Sequence, residues 1–287
     1  MEDVKLALSV ADSLKEEGFI ISYLVRVASI QSTIQPVWEG LAEHAWSDAQ
    51  LQELQARLQQ YDFVVDMKRP LETERAAGVL TIELVREKGL GYLAGLGNET
   101  SSPRDRSFAN FVGFFIPRGW FYLEQFNYCR LFDTMLGTGL DTTKKRISPS
   151  QLALRTREVD QELESGSSKI IHHRIMAKMQ LPAIEKFVGK ATQAQTIANQ
   201  AAVACALERY RLANGQFPDT LDALVPRFIS QLPHDVINGE PYKYRRSADG
   251  QFVLYSVGWN EKDDGGIPGD KLFDENKGDW VWQYPSQ

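Results

Sequence analysis

Apolar residues in the first part of the chain recur at helical spacing. Val4, Leu8, Ala11 and Leu14 share one face, so the run from Val4 to about Gln31 reads as helix. Its Phe19–Ile30 portion is denser in apolar residues, which implies burial on more than one side. Ser47 with Gln50 three residues on is a capping box, a pairing that satisfies two free backbone N–H groups at a helix start. The helix it opens carries Leu51, Leu54, Leu58 and Tyr61 as a narrow apolar stripe. Another helix is predicted over Glu72–Glu87, and glycines at 89, 91, 95 and 97 loosen the chain beyond its end. A polar loop, Asn98–Ser107, leads into the most aromatic stretch, Phe108–Tyr128, where Pro117 suits the first turn of a helix reaching about Met135. Gly137–Ser150 reads as a connector, followed by helices over Ser148–Ser165 and Lys169–Met179. On this pattern the first part is all-helical, with no internal repeat.

The pattern changes after Pro182. A long helix is predicted from Ala183 to Ala213, with Phe187, Ala191, Ala194, Ala198, Ala201 and Cys205 on one small-residue stripe and Asn214-Gly215 as its stop. A short helix falls within 218–228, and then Pro233, Asn238-Gly239 and Pro241 interrupt the chain. Pro241–Gly258 reads as a β-hairpin turning at Asp249-Gly250. The predicted fold class is therefore α+β. A helical module over 1–170 precedes a smaller domain over 183–287, with 171–182 connecting them and the boundary between Gly166 and Pro182.

Composition narrows the function classes. The 287 residues are 43% hydrophobic and 24% charged, which is ordinary globular chemistry. The net charge of -6 comes without any long basic run, so nucleic acid is not an expected partner. Cys129 and Cys205 are the only cysteines, too few for a disulfide scaffold or a cysteine-rich metal site. No apolar run reaches the roughly 18 residues of a membrane span, and no signal peptide is expected. The "MEDVK" start is compatible with an anchor trimmed from upstream.

Four segments in order carry a resemblance: "ALERYRLANGQFPDTLDALV", "LPHDVINGEPYKYRR", "DGQFVLYSVGWNEKDDGG" and "GDWVW". In the second, Pro233, Asp235, Gly239, Pro241 and Tyr242 match a Pro-x-Asp…Gly-x-Pro-Tyr pattern. In the third, Tyr255, Ser256 and Gly258 match Tyr-Ser-x-Gly. Over about the last 105 residues the chain resembles the C-terminal domain of type II secretion major pseudopilins (general secretion pathway protein G-like) and related type IV pilin-like proteins. The resemblance implies a long helix packed on a small antiparallel sheet with an acidic C-terminal loop. It also implies a non-enzymatic structural role in the periplasm or cell envelope, with protein partners among secretion or envelope components. Where such proteins carry a hydrophobic stem helix, this chain has its helical module instead.

The tail after Tyr255 holds Glu261, Asp263, Asp264, Asp270, Asp274, Glu275 and Asp279 against Lys262, Lys271 and Lys277. Such carboxylates either splay into water or share a cation, and Ca²⁺ takes six to eight oxygens at flexible angles. The stretch does not follow an EF-hand, because Lys262 stands where that loop needs an acid or amide. The resemblance implies a structural Ca²⁺ held by the Val257 carbonyl, Asn260 in place of an acid, Asp263, Asp264 and Asp279, with Asp270 and Asp274 left open. Trp280 and Trp282 fall on one side of an extended segment and are expected in the core.

No His-Glu-x-x-His, Gly-x-Ser-x-Gly or phosphate-binding glycine loop occurs. Adjacent His172 and His173 do not share a helix face, which argues against a two-histidine metal site. Glu72, Glu74, Glu83 and Glu87 are read as a solvated face, and Cys205 as buried core. The aromatic run Phe108–Tyr128 is either the helical module's core or a face for a partner. The alternative to the scaffold reading is a hydrolase-like enzyme with its site in the helical module and the C-terminal domain as accessory.

Overall fold

The computed structural model describes residues 1–92, 113–164 and 173–284, together with Arg104, Ser107 and Phe111. Most of the expected loop at Asn98–Ser107, the start of the helix expected from Lys169, His172 and Phe108 lie outside the described residues. The described chain is largely helical with small antiparallel sheets, an α+β arrangement.

Two compact units divide it. One comprises Met1–Pro70, Thr138–Gln151 and Phe187–Gln287; the other comprises Leu71–Gly137 and Leu152–Lys186. The units are thus discontinuous in sequence, unlike the linear order of 1–170 followed by 183–287. The long helix and two others continue from one unit into the other.

In the first unit, α1 (Glu2–Ser13) buries Val4, Leu8 and Ala11, as its periodicity requires. Helix α2 (Ile20–Ala42) buries a stripe that includes Tyr23, Val27, Ile30, Ile34, Val37 and Leu41. Pro36 lies inside it and leaves the Ser32 carbonyl without its helical donor; Ser32 is exposed, so water can serve there. Helix α3 (Asp48–Leu58) starts with the expected capping box. Ser47 Oγ accepts the Gln50 amide at 3.4 Å, and Gln50 Oε1 accepts the Ser47 amide at 3.0 Å. The short α4 (Phe63–Asp66) is capped by Asp62 Oδ1, which accepts the Val65 amide at 3.0 Å.

Helix α5 (Lys68–Lys88) enters the second unit, where α6 (Arg118–Leu136) starts just after Pro117. The connector expected over Gly137–Ser150 contains strands, which corrects the all-helical reading of the first part. Strand β1 (Leu140–Asp141) pairs antiparallel with β2 (Arg146–Ile147). Asp141 Oδ1 takes the Thr143 and Lys144 amides at 3.0 and 2.9 Å, which tightens the turn between them. Helix α7 (Pro149–Glu164) comes next.

Helix α8 runs Ile175–Asn214 with Pro182 inside it, so it begins eight residues before the expected Ala183. In the second unit its first turns bury Met176, Ala177, Leu181 and Ile184, and that packing offsets the one backbone hydrogen bond proline removes. In the first unit the predicted small-residue stripe is buried throughout, Phe187 and Cys205 included. Burial pushes the Cys205 thiol well up, as expected of an inert core cysteine. The short helix is a 3₁₀ turn, Leu221–Leu224. Beyond it lies a three-stranded antiparallel sheet, with β4 (Phe252–Ser256) between β3 (Lys243–Arg246) and β5 (Trp280–Gln283). Arg246 pairs with Phe252 across the predicted turn, and Ser256 pairs with Trp280. Trp280 and Trp282 are buried, as their spacing suggests.

Candidate functional site

The expected ligands lie in the loop that leaves β4 and returns as β5, so the sheet fixes both ends. At its exit Ser256 Oγ accepts the Gly258 amide at 3.2 Å. Gly258 has φ +71°, and a Cβ there would meet the Gly278 carbonyl at 2.7 Å; the two arms of the loop approach this closely only because the residue is glycine.

Asp279 precedes β5 and is 1% exposed. Its Oδ1 accepts the Asp264 amide at 3.2 Å and its Oδ2 the Gly266 amide at 2.6 Å. In return Asp264 Oδ2 accepts the Gly278 amide at 3.1 Å and the Asn260 side-chain N–H at 2.9 Å. Two carboxylates thus close the loop by bonding to amides on its opposite arm. Burial, reinforced by the Asp263 and Asp264 charges, raises the Asp279 pKa; the two donated amides oppose the rise.

The other expected ligands face different partners. Asn260 Oδ1 accepts the Lys262 amide at 3.0 Å, so Asn260 presents N–H rather than oxygen to Asp264. Asp263 Oδ1 accepts Tyr255 Oη at 3.2 Å and the Gly265 amide at 3.0 Å. Val257 is buried and donates its N–H to Asp235 Oδ2 at 3.2 Å. Asp270 pairs with Lys277 at 2.9 Å. Asp274 takes the Asn276 and Lys277 amides at 2.9 and 3.3 Å, and the Asn276 amide leads in holding its carboxyl below the usual range.

The structure therefore brings Asp264, Asp279 and Asn260 together and sets Asp263 to one side. Among the described residues no group of three or more His, Cys, Asp or Glu side chains is placed to hold a metal ion. The residues fit Ca²⁺ only in part: Asp263 and Asn260 would first have to give up their bonds with Tyr255 and Lys262. As placed, the arrangement fastens backbone, with Asp264 and Asp279 each accepting amides from the opposite arm of the loop.

Asp235 belongs to the resembling pattern, yet sequence reasoning assigned it no role. It is buried, with Oδ1 on the Ile237 amide at 3.0 Å and Oδ2 on the Val257 amide, and it joins the Pro233–Tyr242 loop to the end of β4. Burial raises its pKa against the pull of those amides. The signal that could have found it was an acid inside a loop otherwise punctuated by Pro, Asn and Gly.

The described part of the aromatic run is divided between core and surface. In the second unit α6 buries Phe121, Tyr128 and Phe132, while Phe114 is 84% exposed and Phe115, Tyr122 and Phe126 are exposed with it. The His173 ring meets Trp120 with centroids 5.3 Å apart. Glu83 is paired with Arg86, whose hydrogen bond leads in lowering the carboxyl pKa, and burial raises that of Glu74. No protein-family model matches the chain, and no curated protein or solved structure matches it either.

Proposed function

We propose that the chain is a non-enzymatic structural or interaction protein whose C-terminal part is related to type II secretion pseudopilins. It acts at the cell envelope through protein partners. The observation that carries this reading is the agreement between the four resembling segments and one connected assembly. The later half of α8, the Asp235 loop, the β3–β4–β5 sheet and the closed acidic loop are joined by hydrogen bonds. Among them, Gln200 Nε2 donates to the Trp280 carbonyl at 2.7 Å, which ties α8 to β5. Fractionating cells that produce the protein, with cross-linking in place, tests the reading. Recovery with envelope proteins supports it; recovery as an uncomplexed protein outside the envelope fraction overturns it.

A structural Ca²⁺ is part of the proposal, favoured by carboxylates close enough to raise the Asp279 pKa. Asp264 and Asp279 would hold it with the Val257 carbonyl, and Asn260 and Asp263 would join after exchanging their hydrogen bonds. The ion would supply charge neutralisation and would hold the tail against the sheet. Thermal unfolding in EGTA and then in millimolar Ca²⁺ decides the point. A rise in Tm that Asp263→Ala with Asp264→Ala abolishes supports the ion. An unchanged Tm removes the ion and leaves the hydrogen-bonded loop in place.

A further inference from the structure

We infer that the groove between α1 and α2 binds an amphipathic, basic helix from a protein partner. The inference goes beyond the scaffold reading and does not depend on the tail. It begins with the apolar density of Phe19–Ile30, which implied burial on more than one side of α2. One side is in the core. The second lies open: Val25 is 50% exposed and Ala28 is exposed as well, and Leu6 and Val10 of α1, at 66% and 53%, line the same groove. The groove has a volume of about 920 Å³. Its α2 wall continues through Ser29, Ser32 and Pro36, small residues that let another helix come close, and ends where the Trp46 ring packs on Gly40.

Charge identifies the occupant. Asp3, Glu39 and Glu43 line the groove and are exposed, and its described lining contains no Lys, Arg or His. The cation adjacent in sequence, Lys5, is turned to Glu53 at 2.7 Å and Glu2 at 3.3 Å. An apolar floor between carboxylates is complementary to a helix with leucine-like anchors at i, i+3, i+4 and i+7 flanked by Lys or Arg. A second copy docked groove to groove would set Glu39 and Glu43 against like charges, and an anionic lipid surface would be repelled in the same way.

The test titrates the full chain with a fluorescent synthetic helix of about 18 residues that carries Leu on one face and Lys on the other. A second helix carries Glu in place of Lys. The Leu/Lys helix should bind in the micromolar range and the Leu/Glu helix at least about tenfold more weakly. Leu6→Ser with Val10→Ser should weaken binding of the Leu/Lys helix at least about tenfold. These side chains are exposed, and circular dichroism will confirm that the variant is folded. Glu39→Lys with Glu43→Lys should invert the preference between the two helices. The inference is overturned if the Leu/Lys helix fails to bind, or if binding ignores both variants. Self-association without peptide that is lost in the Leu6→Ser, Val10→Ser variant would also overturn it, because the face would then belong to a second copy.

Discussion

Gln195 Oε1 accepts the Phe63 amide at 2.6 Å, across 132 positions of sequence. The same amide group donates to the Tyr61 carbonyl at 3.1 Å and to Asn199 Oδ1 at 2.9 Å. One side chain on α8 therefore satisfies the backbone on both sides of Asp62, where the Tyr61 and Phe63 rings stack at 5.5 Å. Gln195→Leu keeps the volume but strands a buried N–H and a buried carbonyl. At about 1–3 kcal/mol for each stranded group, unfolding in urea should show a loss of about 2–6 kcal/mol. A loss below about 0.5 kcal/mol would mean that water takes over both bonds.

A second prediction concerns pH. In the second unit Glu124 is buried, and its Oε1 accepts the Met176 amide at 2.7 Å at the start of α8. Its Oε2 is buried with no hydrogen-bond partner. Burial outweighs the pull of the Met176 and Ile175 amides and raises the pKa to about 6 from 4.5. The folded chain thus holds this proton more tightly than the unfolded chain. Stability should increase as pH falls through 6, with the gain complete below 4.5, by about 2 kcal/mol at most. Glu124→Gln should be at least as stable as the wild type at pH 7.5 and should flatten this rise. Urea midpoints at pH 7.5 and 5.0 check it, and an equal slope in both proteins would assign the rise to another group.

These cases show why parts of the fold were legible and others were not. The stripe from Phe187 to Cys205, the Ser47 cap and the Asp249-Gly250 turn are local, so spacing and turn chemistry suffice to read them. The division into units depends on distant polar contacts that leave no periodic trace. Gln55 donates to the Phe228 carbonyl, His44 meets Glu208, and Trp38 donates to the Gln283 carbonyl. Each brings the N-terminal helices to chain far downstream within the first unit. In the tail the sequence located the acids but not their aim. Asp263 and Asp264 are adjacent, yet one faces Tyr255 and the other takes the Gly278 amide.

Arg26 gives a third prediction. It is 1% exposed, bonds Asp66 Oδ2 at 2.7 Å and lies over the Phe63 ring at 4.8 Å from the centroid. Removing one member of such a pair leaves the other without its counter-charge in a poorly solvated place. Arg26→Ala should cost about 3–5 kcal/mol, and Asp66→Ala should also be strongly destabilising because it leaves the guanidinium buried. Arg26→Met should cost less than Arg26→Ala, since it still fills the space against Phe63. Equal losses for Met and Ala would assign the whole effect to charge. Urea unfolding of the three variants separates these outcomes.

The acidic tail gives the last prediction, because its closure requires both glycine geometry and a carboxylate. Gly258→Ala places a Cβ against the Gly278 carbonyl at a φ of +71°, which costs about 1–2 kcal/mol for the backbone alone. Asp279→Asn replaces one carboxylate oxygen with an N–H group that faces the Asp264 or Gly266 amide, so one of those donors loses its acceptor. Both variants should speed hydrogen exchange at the Asp264 and Gly266 amides by tenfold or more, with little change in the α8 amides. Acid should act in the opposite sense on the wild type. Since the folded state raises the Asp279 pKa, protonation at that carboxyl favours folding, and its contribution to stability grows as pH falls through the raised value. Exchange that accelerates sharply between pH 7 and 5, after correction for the intrinsic rate, would show that Asp279 must remain ionised to hold the tail. That result would contradict the raised pKa and would place a cation or an unpaired donor beside the carboxylate.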